Sequence, residues 1–529
     1  MEVKKVETPM KFWISIFAIL ILSAWVDFGN IHSYHNSDSL GMIMVSLYKW
    51  TFYNWQTCRI GTIPALIGLP VESPFWNLIV QNGATIFFGL ASIFLVVRIC
   101  FRNNLEMLIW PICLSLYFLT QSDFYQWQYL STYTPLGHGL FFGLCALSIL
   151  YRDRPCRSWE YLIGFTFISC SLWSNIMMFF FIASFVVLQT LIPKLVSKLN
   201  IPVNPNLLDS RLNDYSQCIA ELNGLFINSH FRIVLLGVSC IFTGFVLIVV
   251  NHEYSTPYEY LFLKPSELFS HFVFLIKNLY VHHFSRGLGI CISALVIAAS
   301  FCCFFFKTKS IYEKINQNYI SLLVSAIVYA VVFRIMAWPA GTNTHYFLPL
   351  TIVSYTVLVS WSLYQIFSIF SSRLRKALTT VIIFLLLISI FINKGFPSYT
   401  KVRHDLKSRM GYATQEIIDS NVSHITGSFW DVWIMTYYTN LVLYESGNER
   451  KVWAVTYMAL PTMPLWRNSE YPDCKMKFAV RKDGIKHPTE EWPNLNTNLP
   501  PRRLVKNLKH ISIWKPDCAK SKVSINGSN

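Results

Sequence analysis

Long apolar runs separated by short polar segments dominate the first three quarters of the chain. About 20 consecutive apolar residues cross the roughly 30 Å hydrocarbon core of a bilayer as a helix. Runs of this kind predict eleven spans, near residues 11–28, 76–98, 105–121, 135–151, 159–173, 176–192, 232–251, 288–306, 318–337, 347–368 and 376–394. The stretch 159–192 has an alternative, because it also fits one long tilted helix.

The basic residues favour eleven spans, because Lys and Arg concentrate on the cytoplasmic side of membrane proteins. With eleven spans, few basic residues before residue 394 fall in outside loops, and these are Lys49, Arg59, Lys264, Lys277 and Arg286. One long helix at 159–192 would reverse every later loop and move the clusters at 307–309 and 373–376 outside. The predicted topology therefore has the N-terminus inside and the C-terminus outside.

The spans divide the chain into two predicted domains. Residues 1–394 form a transmembrane domain with a long first outside loop at 29–75, and residues 395–529 form a soluble outside domain. In the latter, the composition shifts to Pro, Asn, Lys and Trp, with short strand-like runs at 477–480 and 510–514. Such runs, together with the length of the segment, predict a small α/β domain.

Composition supports a membrane protein and excludes several other classes. The 529 residues are 53% hydrophobic and 16% aromatic, and the net charge of +16 comes mostly from residues between the apolar runs. Charges in those places orient a protein in the bilayer, so no nucleic-acid partner is predicted. The chain lacks a Walker loop, a dinucleotide-binding glycine motif and a Gly-x-Ser-x-Gly motif, so no nucleotide cofactor is expected.

The cysteines do not predict a metal site, since no CxxC or Cys/His ligand spacing is present. Most lie in apolar segments, where cysteine packs as a small hydrophobe. Cys474 and Cys518 share the polar C-terminal part. If that part is extracytoplasmic, a disulfide between them is expected.

Asp38 is the first candidate for chemistry. It follows the first span in the segment 29–40, among small polar residues and histidines, and another apolar run begins directly after it. A carboxylate held at a membrane edge is commonly functional, and it suits a general base. The alternative is a helix N-cap, because Asp is a favoured capping residue. The local sequence favours neither interpretation.

Arg334 is the second candidate, near the outer end of the span at 318–337. An intramembrane guanidinium suits a phosphate, although an arginine near a helix end also snorkels to the interface. His345 follows on the same predicted outside loop, and Arg286 in the preceding outside loop gives a further anion-binding candidate. We therefore expect a phosphate-binding set formed by Arg334, His345 and Arg286.

The segment 121–139 is rich in aromatic residues, amides and hydroxyls. Such side chains suit sugar rings and sugar hydroxyls, and they equally suit the aromatic belt at a membrane interface. The belt does not account for Gln126, Gln128 and His138, which we interpret as sugar-binding candidates.

With these features, the chain resembles the polytopic glycosyltransferases of GT-C architecture, which use polyprenyl-phosphate sugars. Asp38 corresponds to the acid in the first outside loop of that class. The segment Gly-Ser-Phe-Trp-Asp-Val-Trp at 427–433 is similar to an aromatic-Trp-Asp element that follows the last span in several bacterial members. In size and layout the chain is most similar to the serotype-converting O-antigen glucosyltransferases of enteric bacteria and their phages. Many class members carry paired acids where this chain has a lone Asp38, so metal dependence is not expected.

The resemblance implies a multi-pass enzyme of the bacterial inner membrane whose active site faces the periplasm. It would move a sugar, expected to be glucose, from undecaprenyl phosphate to an O-antigen or lipopolysaccharide acceptor with inversion. Asp38 would act as the base, and Arg334, with His345 or Arg286, would hold the phosphate. The acceptor and sugar would contact Gln126, Gln128, His138, Trp430 and Asp431. A flippase and a donor-making synthase are implied as partners, alongside membrane lipid.

Two other classes compete with this interpretation. An O-antigen polymerase or ligase usually relies on basic residues in large loops between spans, whereas here the large outside segment follows the last span. A lipid-linked glycan flippase without chemistry would show internal repeats and several broken, charged helices, and the sequence has neither feature.

Overall fold

A computed structural model describes residues 9–29, 35–48, 50, 61–100, 115, 136–151, 156–198, 231–246, 265–267, 269–270, 273, 277, 297, 317–336, 347–427, 429–455, 476–482 and 502–516. The membrane-domain helices are α1 (Pro9–Asp27), α2 (Ser37–Tyr48), α3 (Ile63–Gly68), α4 (Pro74–Cys100), α5 (Leu136–Leu150), α6 (Ser158–Ser174), α7 (Met178–Lys198), α8 (Phe231–Val246), α9 (Gln317–Met336), α10 (Leu348–Ser368) and α11 (Ser372–Lys394). A 3₁₀ turn covers Pro265–Glu267.

The C-terminal part combines three helices with five strands. In chain order these are α12 (Tyr399–Met410), α13 (Thr414–Asp419), β1 (His424–Thr426), α14 (Phe429–Glu445), β2 (Trp453–Val455), β3 (Phe478–Arg481), β4 (Arg502–Asn507) and β5 (Ile511–Pro516). Strands β3 and β5 overlap the two strand-like runs of the sequence.

Within the described ranges, four helices are long and apolar enough to cross a membrane: α4, α9, α10 and α11. With 27 residues, α4 is about 40 Å long and exceeds the thickness of the hydrocarbon core. Shorter apolar helices occupy most of the other predicted spans. The predicted spans at 105–121 and 288–306 lie outside the described residues, apart from Ser115 and Ile297.

The stretch 159–192 forms two helices that run in opposite directions. The start of α5 meets the end of α6 and the start of α7, because a Cβ added to Gly139 would lie 3.3 Å from Asn175 Cβ and 3.1 Å from Met178 Cγ. The end of α5 meets the beginning of α6, where a Cβ on Gly164 would lie 2.8 Å from Leu150 Cδ2. The end of α5 also meets α7, through the ring pair of Tyr151 and Phe185. The alternative of one long tilted helix is therefore wrong.

The chain leaves the last described membrane helix and enters the C-terminal part close to the outer end of α1. Gly395 ends α11 with a φ of 68°, and Ser398 caps α12 by accepting a hydrogen bond from the Lys401 amide. Trp25 Nε1 donates to the Gly395 carbonyl at 3.0 Å, and the Ser398 amide donates to the Phe28 carbonyl at 3.1 Å. These bonds fix the C-terminal part beside the first outside loop.

The five strands form one mixed sheet in the order β2-β1-β3-β5-β4. Strand β1 is parallel to β2 and to β3, whereas β3 and β4 are both antiparallel to β5. Parallel neighbours require a crossover connection, and α14 supplies it between β1 and β2. The carboxyl ends of β1 and β3 therefore point in the same direction, towards the beginning of α14.

The described residues form two large hydrophobic cores and a small cluster around Phe367 on α10. The first core joins the membrane helices α1 and α4 through α11. The second joins the C-terminal sheet and helices to α2, α3 and the beginning of α4, with Leu40, Ile43 and Trp433 among its buried side chains. The helix of the first outside loop is therefore part of the C-terminal core.

Candidate active site around the helix that carries Asp38

The helix that carries Asp38 has a cap of its own. Asn36 Oδ1 accepts a hydrogen bond from the Ser39 amide, and Ser39 Oγ accepts one from the Asn36 amide, each at 3.1 Å. This reciprocal pair is a capping box with Asn36 as the N-cap. Asp38 is therefore the second residue of α2, and its interpretation as the cap is wrong. A carboxylate in the first turn is favoured by the positive end of the helix dipole.

The side chain of Asp38 lies outside the described part of the structure, but its surroundings on α2 are well defined. Next to the cap, His35 is fully buried, and its Nδ1 lies 3.2 Å from Ser39 Oγ. At the other end of the helix, the Tyr48 hydroxyl donates to the Val452 carbonyl at 2.6 Å, and its ring packs on Trp453 at 4.5 Å between centroids. Both ends of α2 are thus held by specific contacts.

A stripe of polar residues runs along the first half of α4. Asn77, Gln81, Asn82 and Thr85 recur at helical spacing, and each side chain is fully buried. Polar groups inside a membrane domain are costly unless they are satisfied or used. The sequence analysis missed this stripe, although its helical spacing within the span at 76–98 was a visible signal.

Asn77 joins α2, α3 and α4. Its Nδ2 donates to the carbonyls of Gly68 and Val71 at 2.9 and 2.8 Å. Its Oδ1 accepts from Ser46 Oγ on α2 at 2.8 Å and from Gln81 Nε2 at 2.6 Å. Gln81 also donates to Ser46 Oγ at 2.8 Å. The network therefore ties the acid-bearing helix to the beginning of α4.

Asp27 lies at the end of α1 and is 2% exposed. Asn82 Nδ2 donates to Asp27 Oδ1 at 2.7 Å. The carboxylate sits close against α4, since a Cβ on Gly83 would lie 3.0 Å from Asp27 Oδ2. A second carboxylate therefore lies at the same level of the membrane domain as the beginning of the first outside loop.

His138, predicted to contact sugar, is fully buried near the start of α5. Its Nε2 lies 3.1 Å from Thr85 Oγ1, which itself lies 2.8 Å from the Gln81 carbonyl. The single hydroxyl proton of Thr85 goes to that carbonyl, so Nε2 must be the donor and Nδ1 carries the lone pair. Nδ1 receives no hydrogen bond from the residues described. A contact of His138 with sugar stays a prediction.

Arg334 lies in the last turn of α9 and is 3% exposed. The start of α9 meets the C-terminal end of α4, because Asn318 Nδ2 donates to the Ile99 carbonyl at 2.9 Å. The end of α9 is therefore on the same side as the polar stripe of α4. Its neighbour Phe333 packs on Phe347 at the start of α10, at 6.1 Å between centroids. Arg334 thus lies between helices, which disfavours the interpretation of a lipid-facing side chain that snorkels.

Asp431 lies in the first turn of α14 and forms an ion pair with Arg481 at the end of β3. The Arg481 guanidinium also lies over the Tyr412 ring, 4.8 Å from its centroid. The aromatic-Trp-Asp element thus has a role within the C-terminal fold, and contact of Asp431 with an acceptor stays a prediction. Trp430 belongs to α14, but its side chain is outside the described part.

The remaining sequence candidates cannot be placed in this site. Gln126, Gln128, Arg286, His345, Cys474 and Cys518 all lie outside the described residues. Across the ranges that are described, no group of three or more His, Cys, Asp or Glu side chains is arranged to hold a metal ion.

Comparison with known proteins assigns the fold. No protein-family model matches the sequence, and no curated protein sequence does. Among solved structures, the apo form of ArnT from Cupriavidus metallidurans matches with a TM-score of 0.50 at 9% identity, covering 98% of this chain and 99% of that one. ArnT bound to undecaprenyl phosphate gives 0.43 at 11% identity over 95% and 97%. An Archaeoglobus fulgidus oligosaccharyltransferase gives 0.37 at 10% identity over 90% and 69%.

At 9% identity, the first of these comparisons shows a shared fold over nearly the full length of both chains. The likeness shows that the chain shares the fold of this ArnT structure, and the apolar helices suit a membrane-embedded protein. Both findings agree with the prediction of a polytopic helical membrane protein.

Proposed function

We propose that the protein is a membrane glycosyltransferase that moves a sugar from undecaprenyl phosphate to a periplasmic glycan. The observation that carries this proposal is the place of α2. Its first turn holds Asp38, and the helix lies between the outer end of α4 and the C-terminal core. An acid at that level can meet both a lipid-linked donor and a water-borne acceptor.

In the proposed reaction, the Asp38 carboxylate takes a proton from the acceptor hydroxyl as that oxygen attacks the anomeric carbon. The bond from the anomeric carbon to the lipid phosphate breaks, and the configuration inverts. The leaving group is undecaprenyl phosphate. The sugar is expected to be glucose and the acceptor an O-antigen or lipopolysaccharide, as for the resembled serotype-converting enzymes.

Arg334 is the proposed contact of the leaving phosphate, together with His345 or Arg286. A guanidinium held between helices in a water-poor region attracts a dianionic leaving group strongly. The buried position of Arg334, on the same side as Asp27 and the polar stripe, supports this role. The proposed sugar contacts are Gln126, Gln128, His138, Trp430 and Asp431.

The test is a transfer assay with purified protein, undecaprenyl-phosphate-glucose and lipopolysaccharide. Asp38→Asn should reduce kcat by at least about 100-fold, a typical contribution of general base catalysis. Glu72→Gln is the matched control, because Glu72 is an exposed acid in the same outside segment, and it should retain wild-type turnover. Full activity of Asp38→Asn would disprove the role of Asp38. A correctly folded wild type with no transfer from any polyprenyl-phosphate sugar would disprove the proposed function.

A further inference from the structure

The hairpin formed by β4 and β5 at the edge of the C-terminal sheet is strongly basic. Residues 502–516 contain five basic residues and no acid, and the five are Arg502, Arg503, Lys506, Lys509 and Lys515. Arg503, Lys506 and Lys509 are exposed, and Lys515 is half-buried. The ion pairs found among the described residues involve none of these four.

Three of these cations share one face of the hairpin. Arg503 lies directly opposite Lys515, and Lys506 lies opposite Ile513. Partners directly opposite each other in a sheet point to the same side, and Ile513 and Lys515 are two residues apart on one strand. Arg503, Lys506 and Lys515 therefore form one basic face at the margin of the sheet, on the same side as the buried Ile513. Like charges placed directly opposite destabilise a hairpin, so the folded chain gains nothing by this arrangement alone.

Protection of the sheet edge explains only part of the pattern. Charged side chains on an edge strand prevent pairing with other chains, and β4 is such a strand. Lys515, however, lies on β5, the inner neighbour of β4, where edge protection is not needed. Leu504 and Val505 on β4 are also about half exposed. A strand selected only against aggregation would not leave these apolar side chains exposed at the edge.

The basic face lies at the free edge of the sheet. The opposite edge is β2, which meets α2 through Tyr48 and the Val452 carbonyl. Four strand spacings of about 4.8 Å place β4 roughly 19 Å from β2. A long glycan bound at β4 would be held that far from α2, a distance of about four sugar rings.

We propose that Arg503, Lys506 and Lys515 bind phosphate groups of an acidic glycan acceptor and hold its distal part while the acceptor hydroxyl reaches Asp38. This inference deepens the proposed function and rests on it. It names the acceptor class as a phosphate-bearing glycan. The anionic membrane surface is the other source of phosphate, and we favour the glycan because the basic face lies at the sheet edge opposite β2, the strand that meets α2.

The test compares wild type with the triple variant Arg503→Gln/Lys506→Gln/Lys515→Gln in full-length protein. The Kd for phosphorylated lipopolysaccharide should rise roughly tenfold, as expected for three exposed charge contacts. Binding to the same lipopolysaccharide after chemical removal of its phosphates should be weak and equal for both proteins. In the transfer assay, KM for the phosphorylated acceptor should rise and kcat should stay unchanged.

Two controls make the result specific. Lys401→Gln/Lys407→Gln/Arg409→Gln removes three exposed cations from α12 and should leave the Kd unchanged, and Arg503→Lys should bind as wild type because the charge is kept. An unchanged Kd in the triple variant overturns the inference, and so does an equal loss of binding to phosphatidylglycerol vesicles, which would assign the face to the membrane. Binding needs no turnover, so failure of the proposed function alone would leave these Kd differences intact.

Discussion

The link between α2 and α4 can be tested at Asn77. Asn77→Leu keeps the size of the side chain and removes four hydrogen bonds, two to backbone carbonyls and two from Ser46 and Gln81. Each partner of Asn77 keeps another hydrogen bond or some access to water after the substitution. The Gly68 carbonyl still accepts from the Val71 amide, the single Ser46 hydroxyl proton is free to turn to the Ile43 carbonyl, and Gln81 still donates to Ser46.

A typical intramolecular hydrogen bond contributes about 0.5–1.5 kcal/mol, so four give about 2–6 kcal/mol. Because the partners retain other bonds, and Val71 is half-buried and open to some water, the lower half of that range applies. We expect the free energy of unfolding to fall by about 2–4 kcal/mol, measured by denaturant titration of tryptophan fluorescence in detergent. Transfer should weaken through kcat, because α2 loses its tie to the outer end of α4.

Val80→Leu is the control, since Val80 lies on the exposed side of the same helix, and it should change stability by less than about 0.5 kcal/mol. A cycle with Ser46→Ala should show coupling with Asn77→Leu of at least about 0.5 kcal/mol, because the two residues share a bond. Stability of Asn77→Leu equal to that of the control, or strict additivity in the cycle, would refute the network.

Two further predictions concern helix packing and pH. Gly139→Leu should lower the thermal midpoint strongly, because its Cβ would meet Met178 and Asn175. Gly237→Leu should leave the midpoint unchanged, because a Cβ at Gly237 has nothing within 4 Å. Equal midpoints for the two variants would contradict the close approach of α5 to α6 and α7. Burial lowers the pKa of His424 to about 3, so the unfolded chain binds the extra proton below its ordinary pKa of 6.5. The free energy of unfolding of the C-terminal part should therefore fall by about 1.4 kcal/mol per pH unit as the pH drops from 6.5 towards 3. His424→Gln should lose that slope and the exposed His404→Gln should keep it; a persistent slope in His424→Gln would contradict the assignment.

The sequence predicted the membrane helices well, because a hydrophobic run long enough to span carries its own signal. Helices α4, α9, α10 and α11 coincide closely with predicted spans. The division of 159–192 was less secure, since both halves are apolar. What separates the two helices is the contact of Gly139 with Asn175 and Met178, and that contact depends on a third helix.

The partners of the polar stripe on α4 could not be predicted from its pattern. Asn77 and Asn82 are recognisable as buried polar residues at helical spacing, but their partners Ser46 and Asp27 are 31 and 55 residues away. The C-terminal sheet was predictable only in outline for the same reason. Strands β1 and β2 have three residues each, too few for an alternating pattern, and β1 pairs with strands that follow it much later in the chain.

The packing of α2 gives a physical reason why the proposed catalytic carboxylate in the first loop could act together with the C-terminal part of the chain. The apolar side of α2 is buried in the C-terminal core, whereas its Ser46 bonds to Asn77 on a membrane helix. The C-terminal part and the membrane helices cannot shift relative to each other without moving α2 or breaking one of these contacts, since packed interfaces have discrete arrangements. Under the proposed function, an acceptor bound to the C-terminal sheet would therefore be held in a fixed relation to Asp38, and the donor would be positioned by the helices to which α2 is tied. The Tyr48 hydroxyl, which donates to the Val452 carbonyl at 2.6 Å, is one of the contacts that would keep this relation fixed.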